Sequence, residues 1–111
     1  MRVLVVDDHP LIREALRQVL KALDQEIVLV ESASAAEALE AASRDEKLDL
    51  ILLDLALPGT DGFEVLRELR ERHPAFPVVV LSASEQADTV MRALDAGAMG
   101  FIPKTSSNEV L

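Results

Sequence analysis

The sequence predicts an α/β protein built on a doubly wound, five-stranded parallel sheet. Three observations point there. Short apolar runs recur along the chain, and they are continuous rather than alternating, as strands buried on both faces of a parallel sheet require. Amphipathic helical patterns separate them, giving the order β-α-β-α-β-α-β-α-β, which favours right-handed crossovers. The length, 111 residues with half of them hydrophobic, suits one domain with a proper core.

The strand runs are VLVV at 3–6, IVLV at 27–30, LILL at 50–53, VVVL at 78–81 and a weaker MGFI at 99–102. Between the first two, Leu11, Ala15, Val19 and Leu23 repeat every four residues beside Ile12, Leu16 and Leu20. They form one apolar stripe. Pro10 suits the first turn, where its missing N–H does no harm. Ser34 and Glu37 are spaced as a capping box for a second helix running to about Arg44. Phe63, Leu66 and Leu69 stripe a third helix, from about Gly62 to before Pro74. Ala87, Val90, Met91 and Leu94 stripe a fourth, ended by Gly97. TSSNEVL at 105–111 reads as the start of a fifth helix, with Ser106 or Ser107 as its cap. The sequence stops about one turn in, so a longer parent chain is expected.

Composition narrows the chemistry. There is no Cys, which excludes disulfides and thiolate metal sites. No apolar run approaches the roughly 20 residues of a membrane span, and the opening lacks a signal-peptide layout. The expected setting is the cytoplasm. With 20 acidic and 11 basic side chains the net charge is −9. A phosphate backbone repels such a surface, so this segment is not expected to bind nucleic acid itself.

The chemistry gathers at strand ends. In a parallel sheet the C-terminal ends of the strands share one edge, where ligands bind. Asp7 and Asp8 follow the first run and Asp54 follows the third. Three carboxylates together require a cation or protons. A hard divalent ion such as Mg²⁺ suits an oxygen donor set, and the Ala56 carbonyl, two residues past Asp54, is a further candidate oxygen. Neither His lies in a ligand pattern, so zinc is not expected. His9, alone before a helix-starting Pro, reads as a surface residue. Ser82 and Lys104 end the fourth and fifth runs. A hydroxyl and an ammonium facing a metal-bound carboxylate make a phosphoryl site, with Asp54 as the nucleophile.

These motifs resemble the receiver domain of bacterial two-component response regulators, over residues 1–111. VVDDHP resembles the acid pair, LLDLALPGTDG the phosphoacceptor strand and loop, VVVLSAS the switch-hydroxyl segment, and GFIPK the aromatic-plus-lysine segment. VDDHPLIREAL, ALDAGAMGFIPK and the following TSS resemble the NarL/FixJ subfamily, whose members carry a C-terminal LuxR-type DNA-binding domain. The resemblance implies a flavodoxin-like (β-α)5 fold with strand order 2-1-3-4-5 and most of the fifth helix missing. It implies Mg²⁺ at Asp7 and Asp8, and phosphorylation of Asp54 by a sensor histidine kinase. Lys104 would pair with Asp54 and then with the phosphoryl group. Ser82 and the Ala83 N–H would bind phosphoryl oxygens, and Phe101 would turn inward with Ser82. The output would pass through the face of the fourth helix and fifth strand. In an intact chain, a homodimer could use that face with the fifth helix.

The sequence departs from the family pattern in three respects. Phe101 stands where many members have Tyr, Thr105 rather than Pro follows the lysine while Pro103 precedes it, and most of the fifth helix is missing. Pro103 is tolerable if the fifth strand is an edge. The resemblance makes the domain a regulator, not a metabolic enzyme, although it would catalyse its own phosphorylation and slow hydrolysis. Two other classes compete. A receiver-like interaction module acting unphosphorylated would be favoured by a missing acceptor or lysine, and both are present. A haloacid dehalogenase-type phosphatase wants D-x-D after the first strand, where this chain has Asp7, Asp8 and His9.

Overall fold

The computed structural model describes residues 1–84 and 86–104. Strands and helices alternate: β1 (Arg2–Val6), α1 (Pro10–Leu23), β2 (Val28–Ser32), α2 (Ala35–Arg44), β3 (Leu50–Asp54), α3 (Gly62–Arg72), β4 (Val78–Ser82), α4 (Ala87–Asp95) and β5 (Gly100–Pro103). The five strands form one sheet, ordered β2-β1-β3-β4-β5, and every pairing is parallel. The expected fifth helix lies outside the described residues.

Side chains alternate across the sheet with the two-residue period of a strand. Leu4, Val6, Ile51, Leu53, Val78 and Val80 face one side, where they meet Ala38 and Ala42 of α2, Val65, Leu66 and Leu69 of α3, and Ala93 of α4. Val3, Val5, Leu52 and Leu81 face the other, against Leu16 of α1. Each large side chain fully buried this way is worth about 1.5–3 kcal/mol. Expectation and structure differ at the margins. β2 is an edge strand, so Val28 is exposed rather than sandwiched.

In α1 Leu16 is buried with Ile12 and Leu20 partly buried beside it, while Leu11 and Leu23 are exposed. Leu11 stands five residues before Leu16, about 140° away around a helix of 3.6 residues per turn, and Leu23 sits at the helix end. The stripe expected for α4 points the wrong way. Met91 and Leu94 are exposed, and the buried residue is Ala93.

Caps and turns aim the loops at the sheet edge. Ser34 Oγ accepts the Glu37 N–H at 3.2 Å, and Glu37 Oε2 accepts the Ala33 N–H at 3.0 Å. This is the expected capping exchange, reaching one residue further back. Asp61 caps α3 through the Phe63 N–H at 2.9 Å. Gly62 is needed for space: a Cβ there would lie 2.3 Å from the Leu55 carbonyl oxygen.

Candidate functional site

The register brings the strand ends level. Val6 pairs with Leu53, Asp54 with Leu81, and Ser82 with Pro103. Asp7, Asp54, Ser82 and Lys104 therefore arrive at one edge. Pro103 costs no ladder bond on the outer side because β5 is an edge, and the chain stays in register through the Lys104 N–H, which donates to the Ser82 carbonyl at 2.7 Å.

One local device orients three of these side chains. Asp7 Oδ1 accepts the His9 N–H at 2.8 Å, Asp54 Oδ1 accepts the Ala56 N–H at 2.9 Å, and Ser82 Oγ accepts the Ser84 N–H at 3.1 Å. Each is a side-chain oxygen holding the N–H two residues on, as in Asx and ST turns. One carboxylate oxygen is spent on the backbone and the other is turned across the edge. Asp7 Oδ2 and Asp54 Oδ2 both face Lys104, whose Nζ lies 2.8 Å and 2.9 Å from them.

Asp7 and Asp54 are fully buried, where an unpaired carboxylate is costly. Burial also opposes the charge on Lys104, but hydrogen bonding and attraction to Asp7 and Asp54 outweigh it and raise its pKa above the ordinary 10.5. One ammonium does not neutralise three carboxylates. The donor set of Asp7, Asp8 and Asp54 is hard and oxygen-rich and carries excess negative charge, so the residues present fit a divalent ion.

His9 is where sequence reasoning fell short. Its Nδ1 lies 2.8 Å from Asp7 Oδ1, 3.2 Å from Asp8 Oδ1 and 3.6 Å from Asp54 Oδ2. The ring is half exposed, yet its nitrogen sits in the carboxylate cluster. The available signal was adjacency: a His directly after two acids, held in extended backbone by the following proline.

Beside the cluster is a groove of about 340 Å³, lined by His9, Ile12, Asp54, Ala56, Ala83 and Lys104. Ala83 is exposed and Ser82 buried. Phe101, on β5, is half-buried against the larger core. A second hollow of about 290 Å³ lies at the opposite edge. The guanidinium of its Arg70 is already engaged by the Pro74 and Phe76 carbonyls, so among the described residues the charged cluster and an open groove coincide at the C-terminal edge.

A five-stranded parallel sheet with acids on two adjacent strand ends, a hydroxyl on the next and a lysine on the last defines a receiver-type signalling domain. Residues 3–111 match the family model of the response regulator receiver domain, and the chain belongs to that family. It is 41% identical over 105 residues to a glycerol metabolism activator of Pseudomonas putida, covering 95% of this chain and 48% of that one. It is 37% identical over 110 residues to the nitrate/nitrite response regulator protein NarP of Escherichia coli, covering 99% and 51%. The BeF3-activated N-terminal receiver domain of Klebsiella pneumoniae RstA superposes with a TM-score of 0.85 at 31% identity, covering 99% and 91%. The chain spans about half the length of these curated relatives. Receiver domains are regulatory rather than metabolic, and no helix among the described residues is long and apolar enough to cross a membrane.

Proposed function

We propose that this domain accepts a phosphoryl group on Asp54 from a sensor histidine kinase and converts that event into a change of its α4–β5 face. The observation that carries the proposal is the placement of Asp54: fully buried at a strand end, pinned by the Ala56 N–H, with its second oxygen beside Lys104. Asp7, Asp8, Asp54 and the Ala56 carbonyl are the residues to hold Mg²⁺. When bound, the ion supplies positive charge against the phosphoryl oxygens and relieves the repulsion among the acids.

The chain's own groups do the rest. An Asp54 carboxylate oxygen attacks phosphorus as the bond to the donor's imidazole nitrogen breaks, and the imidazole leaves with the electron pair. Lys104 draws its charge toward the new phosphoryl oxygens. The Ser82 hydroxyl and the Ala83 N–H donate to them. Movement of Ser82 frees space for Phe101 to turn inward, so the population shifts toward the arrangement that phosphoryl contacts favour. Phe101 has no hydroxyl, so its two positions differ in packing alone.

We assign the domain to the receiver part of a longer transcription regulator of NarL type, with a C-terminal DNA-binding effector domain in the cytoplasm. A homodimer through α4, β5 and a fifth helix fits the same scheme. Intact mass after incubation with acetyl phosphate tests the chemistry. The expected result is one phosphoryl adduct that requires Mg²⁺ and is absent in Asp54→Asn. A folded chain that gains no adduct, or keeps it in Asp54→Asn, overturns the assignment.

A further inference from the structure

His9 is an N-cap that does not cap. It precedes α1, yet its side chain makes no bond to the helix's free N–H groups. The ring instead turns back over the acids. Its backbone is fixed on both sides, by the N–H bond to Asp7 Oδ1 and by Pro10, which confines the preceding residue to extended angles; φ is −91 and ψ 110. The imidazole is therefore delivered to the cluster by rigid backbone.

The donor spacings match a coordination shell. Around an octahedral ion with bonds of about 2.1 Å, adjacent donors lie about 3.0 Å apart. His9 Nδ1 is 2.8, 3.2 and 3.6 Å from the nearest oxygens of Asp7, Asp8 and Asp54, and all four donors fit within 4.8 Å of one another. Independently, Oδ1 of Asp8 is a buried atom that accepts no hydrogen bond and meets the imidazole, and the buried Oδ2 of Asp54 faces both the Lys104 ammonium and the imidazole. An imidazole nitrogen favours borderline first-row ions over Mg²⁺, which prefers oxygen alone.

We propose that His9 Nδ1 is a nitrogen donor of the cation site, so that the site takes borderline dications such as Co²⁺, Ni²⁺ and Zn²⁺ in preference to Mg²⁺. This rests on the acid cluster holding a cation, as proposed above, and the experiment separates the two.

The whole chain, with its histidines carrying ¹⁵N, is loaded with Mn²⁺ and examined by electron spin-echo modulation, alongside calorimetric titrations with Co²⁺ and Mg²⁺. The expected result is a modulation from directly bound imidazole nitrogen that changes with the isotope and persists in His73→Gln, which removes the other histidine. In His9→Ala the modulation disappears and the preference for Co²⁺ over Mg²⁺ falls on the order of tenfold. The isotope comparison needs no variant, so a folding defect in His9→Ala does not blunt it. Mn²⁺ and Mg²⁺ binding that depends on Asp8, with no nitrogen modulation and an unchanged ion preference, overturns the inference and leaves the cation site standing. A folded chain that binds neither ion overturns both.

Discussion

At the scale of single residues, Lys104 decides whether the carboxylate edge is stable without an ion. It is the ammonium that meets both fully buried acids, Asp7 and Asp54. Replacing it by Met leaves two buried charges facing each other, and breaking such a pair from one side costs on the order of 3 kcal/mol. Denaturant unfolding of Lys104→Met at neutral pH and without Mg²⁺ should show that loss. Adding Asp54→Asn should recover a large part of it, since one charge of the uncompensated pair is gone. The effect has a pH signature. The folded protein holds the Lys104 proton more tightly than the unfolded chain does. The lysine's contribution is complete below the ordinary value of 10.5 and disappears as pH climbs through the raised one. The stability gap between wild type and Lys104→Met should therefore narrow as pH rises above 10.5. A gap that ignores alkaline pH means the ion pair is not what the substitution removed.

At the scale of elements, the loop from β3 to α3 shows how backbone space sets the acceptor. Gly62 begins α3 against Leu55, one residue after Asp54, and its missing side chain is what lets the helix start there. Gly62→Ala forces apart the β3 end and the first turn of α3. The expected outcome is a loss of several kcal/mol in denaturant unfolding and slower phosphorylation of what remains folded. An unperturbed melt would show that the loop relaxes around the methyl group. Gly62 was legible as the start of a helix, but not as a spacing requirement, because the clash is with a backbone oxygen seven residues earlier. The same limit explains α4. Large apolar residues announced a stripe at Ala87, Val90, Met91 and Leu94, but the helix seats itself on Ala93, where a small side chain permits close approach to the sheet. Periodicity weighs size, whereas the choice of face belongs to the packing partner. Strands and strand ends were legible because a continuous apolar run closed by a charge suits little besides a buried strand that ends at a polar edge. His9 was not, because its position depends on a turn of Asp7 back onto the backbone.

At the scale of the whole molecule, the acids at the edge set a balance between stability and function. Two cores of unequal extent hold the sheet from its two faces, and the repulsion among Asp7, Asp8 and Asp54 works against both. A site that binds a dication only when folded draws stability from it as RT ln(1 + [L]/Kd), about 2.7 kcal/mol at a hundredfold excess over Kd. For a domain of this size that corresponds to a rise in Tm of about 10 °C. Calorimetric melts with and without saturating Mg²⁺ should show that rise in the wild type. Asp8→Ala removes one of the repelling charges together with a metal ligand. It should therefore melt no lower than the wild type in the absence of Mg²⁺ and gain little when Mg²⁺ is added. If the variant gains as much as the wild type, the ion acts elsewhere on the surface, which at a net charge of −9 offers other acidic groups. The assignment of the edge as the cation site would then fail with it.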